Sequence, residues 1–244
     1  MQIGDSCIGC GGCVPYCPMA AIGQHEDGKA YINQDECVEC GVCLNSKVCP
    51  VGAFHQLKLE WPRILKAMWS SVVFVHHETK VQGRGTEEMK TNDVTNRFKL
   101  GEVGFGVELG RPSTGARFKN AESVTIALAH LGVEFEAMNP FTKYIDTDTG
   151  RFLDSWRGYP LDEDFKKTKV MTFIIEFKTG QENVLDIIRT LDEVAKEINT
   201  VLSVDLMTKC TENGEIPVMD ILDKAGVEYY INGKTNVGLG HPRR

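Results

Sequence analysis

Eight of the nine cysteines fall between Cys7 and Cys49, and their spacing restricts this chain more than any other feature. The first run is Cys7-x2-Cys10-x2-Cys13-x3-Cys17-Pro18, and the second is Cys37-x2-Cys40-x2-Cys43-x5-Cys49-Pro50. Their openings lie thirty residues apart, and the tails agree as well: Pro18-Met19-Ala20-Ala21-Ile22 against Pro50-Val51-Gly52-Ala53-Phe54. Thiols at this density form either a disulfide framework or a set of metal ligands. The odd total argues against complete pairing, and Met1–Asp5 has neither a basic nor an apolar leader, so no secretory signal and a cytoplasmic location are expected. Zinc is the simpler metal, but it ordinarily takes two C-x-x-C pairs or cysteine mixed with histidine. A three-cysteine loop followed by Cys-Pro is a different pattern.

That pattern resembles the bacterial-type ferredoxin with two 4Fe–4S clusters, over roughly residues 1–58. In that family three thiolates of one tight loop bind one cluster, and the fourth of the run crosses to the other. Carried over by position, the resemblance implies one cluster on Cys7, Cys10, Cys13 and Cys49 and a second on Cys37, Cys40, Cys43 and Cys17. Gly9, Gly11, Gly12 and Gly41 suit the turns between ligands. The second run departs from the common spacing by its five residues, Leu44 to Val48, before the last cysteine. In the crossed scheme this lengthens a connector and leaves the three-cysteine loop intact.

Beyond the cysteines the expected fold is α+β: a ferredoxin-like module over 1–58, a linker helix over 59–70, and a larger α+β sandwich over 71–244. Trp61, Ile64, Leu65, Met68 and Trp69 fall at helical spacing, which predicts a short helix clamping the module onto the next domain. Ser71–Val75 reads as a buried strand. Val103, Phe105, Val107 and Leu109 alternate with Gly104, Gly106 and Glu108, a strand with one bare face open to close approach by a ligand or another backbone. A helix comes next with Asn120 as its cap, stopped by Gly132. Later come a strand over Val170–Phe177, a helix over Asn183–Ile198, a strand over Val201–Met207, a helix over Pro217–Ala225, and a strand over Val227–Ile231 before an Asn232-Gly233 turn. Leu128-x3-Gly132-Val-Glu-Phe135 echoes Leu222-x3-Gly226-Val-Glu-Tyr229, and Val107–Pro112 echoes Val237–Pro242, which suggests two related halves over about 71–160 and 161–244. Cys210, far from the runs, reads as an ordinary small apolar residue.

Candidate chemistry outside the cysteines is sparser. His76 and His77 are suited to proton transfer, and Arg84, Arg111 and Arg117 to an anionic substrate or partner. Residues 83–93 and the Gly-Phe-Gly-Val-Glu-Leu-Gly-Arg-Pro stretch at 104–112 are similar to the iron–sulfur portion of anaerobic ring reductases such as 6-hydroxynicotinate reductase, which implies a heteroaromatic or acyl acid as substrate. No dinucleotide fingerprint or P-loop is present, and no motif indicates the flavin that a reductase of this kind would call for.

Charge narrows the partners. The chain carries −7, and two oxidised clusters on eight thiolates would bring it to roughly −11. That argues against nucleic acid and for docking on a basic patch of a redox protein. No apolar run approaches the length of a membrane span. Two functions stand out: an electron-transfer protein or subunit feeding a catalytic partner, and a self-contained reductase. A non-catalytic redox sensor is a third.

Overall fold

The computed structural model describes residues 1–75, 80, 82 and 96–230. The first sixty residues are held by very short elements. Strand β1 (Gln2–Ile3) pairs antiparallel with β4 (Phe54–His55), and β2 (Ile22–Gln24) with β3 (Ala30–Ile32); α1 (Val42–Asn45) is a single turn between them. Two small apolar clusters form here. One gathers Met1, Cys13, Ile22, Ala30 and Phe54, the other Met19, Ala21 and Val38, and cysteines pack against both.

Helix α2 (Arg63–Ser70) then turns two faces to different neighbours. Leu65, Met68 and Trp69 enter the main hydrophobic core, while Lys66 and Arg63 reach back to the cysteine-bearing segment. Periodicity explains the first set: positions 65, 68 and 69 recur on one side of a 3.6-residue helix.

The main core is built on β5 (Glu102–Leu109), β6 (Ala116–Arg117), α3 (Phe118–Ala129), β7 (Glu134–Phe135), β8 (Ser155–Trp156), β9 (Tyr159–Pro160), α4 (Glu163–Lys167), β10 (Lys169–Val170), β11 (Phe173–Gly180), α5 (Val184–Glu197), β12 (Leu202–Thr208) and α6 (Pro217–Lys224). Four of the strands form an antiparallel sheet in the order β12-β5-β11-β7. The path β5–α3–β7 followed by β11–α5–β12, with β11 inserted between the first pair, is a split βαβ plait. Val103, Phe105, Val107 and Leu109 share one core cluster with Val124 and Leu128 of α3 and with Val184, Ile187 and Leu191 of α5. The α+β reading of the sequence and the amphipathic pattern of α5 therefore correspond to a real layer of helix on sheet. The opposite sheet face carries Gly104, Gly106 and Glu108, in register with Lys178, Glu176 and Ile174 on β11.

Several expectations are corrected. Ser71–Val75 is not a buried strand: residues 72–74 are bends, Val72 and Val73 are 65% and 58% exposed, and Val75 makes only an isolated bridge to Gln82. Four apolar residues in a row do not make a strand without a ladder to join. Residues 227–230 likewise carry no strand, and Ile231 with its adjoining turn lies outside the described residues. Asn120 is not the cap residue of α3 but its third residue, where its side chain accepts a hydrogen bond from the Arg117 N–H at 2.8 Å. The close approach that the bare strand face signalled is made by a side chain of the protein itself. A Cβ at Gly104 would lie 2.3 Å from the ring of Phe98, which is fully buried. The echo between 128–135 and 222–229 matches two helix ends with left-handed glycines, Gly132 and Gly226. It pairs α3 with α6, whereas the topological counterpart of α3 in the plait is α5; the second echo, Val237–Pro242, lies outside the described residues.

Candidate functional site

The eight clustered cysteines sort into two cavities in the crossed manner. Cys17, Cys37, Cys40 and Cys43 line one cavity. Cys7, Cys10, Cys13 and Cys49 line the other. The last cysteine of each run has left its own loop and closed the ring of the other.

The repeat in sequence is a repeat in backbone. Gly9 and Glu39, two residues after the first cysteine of each run, both hold left-handed conformations, with φ of 72° and 53°. Ala20 and Gly52, three residues after the last cysteine, do the same at 50° and 62°. This turn aims a backbone N–H at sulfur in each half: Ala21 donates to Cys17 Sγ at 3.2 Å, and Ala53 to Cys49 Sγ at 3.2 Å. Ala30 adds a third such bond, to Cys7 Sγ at 3.5 Å. Donors directed at sulfur stabilise a thiolate or a sulfur ligand rather than a thiol. Hydrogen bonds from Ala30 and Gly9 accordingly hold Cys7 below the usual thiol range.

Four of the other thiols are pushed the opposite way. Burial raises Cys13, Cys37 and Cys40, and it pushes Cys43 up to about 12, with the neighbouring Cys40, Cys37 and Cys17 adding to the effect. The Cys40 ring, with three sulfurs raised in this way, cannot ionise fully unless positive charge fills the space between them. Among the described residues, no group of three or more His, Cys, Asp or Glu side chains is placed to hold a single metal ion. Four cysteines around each cavity, in runs that end Cys-Pro, suit an iron–sulfur cluster better than a mononuclear zinc.

The surroundings of the two rings differ. Cys10 is exposed, and the adjoining Ile8 and Val51 are 64% and 40% exposed. The Cys40 ring instead backs onto α2 and the plait. Lys66, nearly buried, donates to the carbonyls of Gln34 at 2.6 Å and Cys37 at 2.9 Å. Burial holds its ammonium below the ordinary lysine value. Glu39 is buried between Cys37 and Cys40 and pairs with Arg63 and the Met1 amino group, with Gln56 donating at 2.9 Å. Burial works against its ionisation, but these donors outweigh it and its carboxyl lies below the usual range. Glu36, on the other side of Cys37, pairs with Lys169 and, at 3.0 Å, with Arg117. The hydrogen bond from Lys169 is the main cause of its lowered pKa.

The predicted residues beyond the cysteines are scattered. Arg117 donates to Glu36 and, at 2.6 Å, to the Lys167 carbonyl, so it belongs to the seam beside the Cys40 ring. Arg111 pairs with Glu108 at 3.1 Å. Both guanidiniums are engaged by the protein's own acceptors. His76, His77 and Arg84 lie outside the described residues. Cys210, read as an ordinary small apolar residue, is exposed. Glu36, Glu39 and Lys66 escaped the sequence reading; a glutamate standing where the first repeat has Gly9 was the one signal that marked Glu39.

A family model described as a 4Fe–4S dicluster domain matches residues 6–53. The pyruvate synthase subunit PorD of Methanocaldococcus jannaschii is 36% identical over 56 residues, 23% of this chain and 63% of that one. An uncharacterized ferredoxin of the same organism is 46% identical over 41 residues, 17% of this chain and 23% of that one. This chain thus spans less than two thirds of either relative. A ferredoxin of Pyrobaculum islandicum is 33% identical over 87 residues, 36% of this chain and 78% of that one. No solved structure gives a significant match. The likeness of 83–93 and 104–112 to 6-hydroxynicotinate reductase finds no support among these relatives, and no helix among the described residues is long and apolar enough to cross a membrane. Through its N-terminal iron–sulfur module, the chain belongs to the ferredoxin family.

Proposed function

We propose that the chain is an electron-transfer protein with two 4Fe–4S clusters, one held by Cys7, Cys10, Cys13 and Cys49 and one by Cys37, Cys40, Cys43 and Cys17, serving a separate catalytic partner of an anaerobic oxidoreductase. The observation that carries this reading is the sorting of eight thiols into two four-sulfur cavities, each drawing its last member from the other run. When bound, such clusters supply reversible one-electron transfer at low potential. The chain's own part is to keep sulfur ligands in place with backbone N–H groups and to exclude water from the Cys40 ring.

The partner docks at the Cys10 side. There a ligand position is itself exposed and Ile8 and Val51 offer an apolar contact, within a protein of net charge −7 that favours a basic counterpart. The named role of one relative as a pyruvate synthase subunit supports service to a larger enzyme. The competing reading, a self-contained reductase, loses weight because Arg111 and Arg117 are already paired internally.

Anaerobic purification with iron and sulfide analysis tests the assignment. About eight irons and about eight sulfides per chain are expected for two cubane clusters. Zinc in stoichiometric amount, or about four irons, would refute it. Reduced viologen with heteroaromatic or acyl acids gives no turnover by the isolated chain if a catalytic partner is required.

A further inference from the structure

The two cysteine rings are near copies by sequence, yet they sit in different electrostatic surroundings. Four cations from beyond the repeat converge on the segment around Cys37: Arg63 and Lys66 from α2, Arg117 at the start of α3, and Lys169 from β10. They face two carboxylates, Glu36 and Glu39, with Asp35 at the rim also acting on Lys66. The imbalance is positive, and much of it lies out of water: Lys66 is 9% exposed and the side chain of Lys169 13%. Around Cys7 the charges that act are Lys29 and Asp27, one of each sign and both exposed. Solvent damps such a pair, whereas a buried charge keeps its reach.

Position 39 bears on the same point. A glutamate occupies the left-handed turn where the first repeat has Gly9, at a backbone cost, and its carboxylate is clasped by Arg63. A side chain retained against strain, and tied to the next element, holds the cations in register with the ring.

We propose that Arg63, Lys66, Arg117 and Lys169 form a cationic cradle that sets the potential of the Cys17/Cys37/Cys40/Cys43 cluster above that of the Cys7/Cys10/Cys13/Cys49 cluster, so that an electron entering at the exposed side comes to rest at the seam with the plait. The proposal rests on the two-cluster assignment. Uptake of one electron from a low-potential one-electron donor makes a cluster one unit more negative and neither makes nor breaks a bond. A fixed cation nearby therefore favours the reduced form, and a fixed carboxylate disfavours it. Lys66 acts here as a positioning and tuning residue through the Cys37 carbonyl, not as a ligand.

Potentiometric titration of the anaerobic holoprotein, monitored by electron paramagnetic resonance, tests this with variants of opposite sign. Wild type shows two separable potentials. Lys66→Gln lowers the higher one and leaves the lower in place; Lys66→Arg keeps it close to the wild-type value; Glu36→Gln raises it. Should Lys66→Gln fail to yield loaded protein, Lys169→Gln gives a smaller shift of the same sign. Coincident potentials in wild type, equal movement of both in Lys66→Gln, or movement of Glu36→Gln in the same direction as Lys66→Gln would overturn the cradle. Iron well short of eight per chain would instead defeat the cluster assignment itself, so the two failures are told apart.

Discussion

At position 150 the chain needs a residue without a side chain. Gly150 has φ of 71°, and a Cβ there would lie 2.2 Å from the Thr125 carbonyl oxygen. Thr125, fully buried in α3, donates its hydroxyl to the Gly150 carbonyl at 2.6 Å, so the contact cannot open without losing that bond. Gly132 also has a positive φ, 65°, but nothing stands within 4 Å of its would-be Cβ. Gly150→Ala is thus expected to cost about 2–4 kcal/mol, from backbone strain plus steric displacement, and Gly132→Ala only about 1 kcal/mol. Denaturant unfolding monitored by tryptophan emission measures both, and equal losses would contradict the steric argument. Neither the Gly150 contact nor the seam carboxylates were legible in the sequence, because the partners are remote along it. Glu36 lies 81 residues from Arg117 and 133 from Lys169. The grouping of the eight cysteines about two cavities, by contrast, follows the crossed pattern that the resemblance to two-cluster ferredoxins implied.

Among the elements, charge is organised where the start of β5 lies beside the end of β11. Glu102 accepts the Lys99 N–H at 2.6 Å and pairs with Lys178 at 3.3 Å. The backbone hydrogen bond from Lys99 is the main reason its carboxyl falls below the ordinary 4.5, with Lys178 assisting; the Lys178 ammonium is raised by Glu102 and Glu134 against the pull of desolvation. A carboxyl with a depressed folded pKa stabilises the fold above its unfolded value and loses that contribution as pH falls through the folded one. Glu102→Gln is therefore expected to be less stable than wild type by about 1 kcal/mol at pH 7, the loss of charge-assisted hydrogen bonds. The gap narrows as the pH falls below 4.5 and closes once it has passed the lower folded value, where wild type too is neutral at this position. Thermal melts at several pH values check it; a gap that persists in acid would assign the effect to packing. Elements with strong periodicity were readable from sequence to within a few residues: α5, β11, β12 and α6 each fall where alternating or helical spacing put them. The short pairs β6–β10 and β8–β9 were not, since two-residue ladders carry no period. Ser71–Val75 failed for a related reason, as hydrophobicity alone does not supply a partner strand.

On the scale of the molecule, the two halves of the chain are stabilised by different means. The plait and its helices form one continuous core around Phe105, Phe173, Phe177, Leu128 and Leu191, with Trp69 inserted from α2 and without a cysteine. The segment before α2 has only two small clusters, whose partly buried partners are largely the cysteines themselves. Elements of two to four residues around such small clusters cannot offset the entropy of ordering the chain, so bound metal has to contribute to folding there. Iron removal by chelator under oxidising conditions should then release the first sixty residues selectively. Hydrogen exchange is expected to show lost protection in β2 and β3 and at the Ala21 and Ala53 amides that point at sulfur, with little change in β5, β11, α3 and α5. Emission from Trp69, which is 4% exposed within the surviving core, should barely shift. Loss of protection in β5 and β11 on the same timescale would show that the sheet depends on the cysteine segment. Helix α2 would be one element responsible, since it places Leu65 and Trp69 in one core while Lys66 holds the carbonyl of Cys37 in the other; the pairs of Arg117 and Lys169 with Glu36 are the second tie.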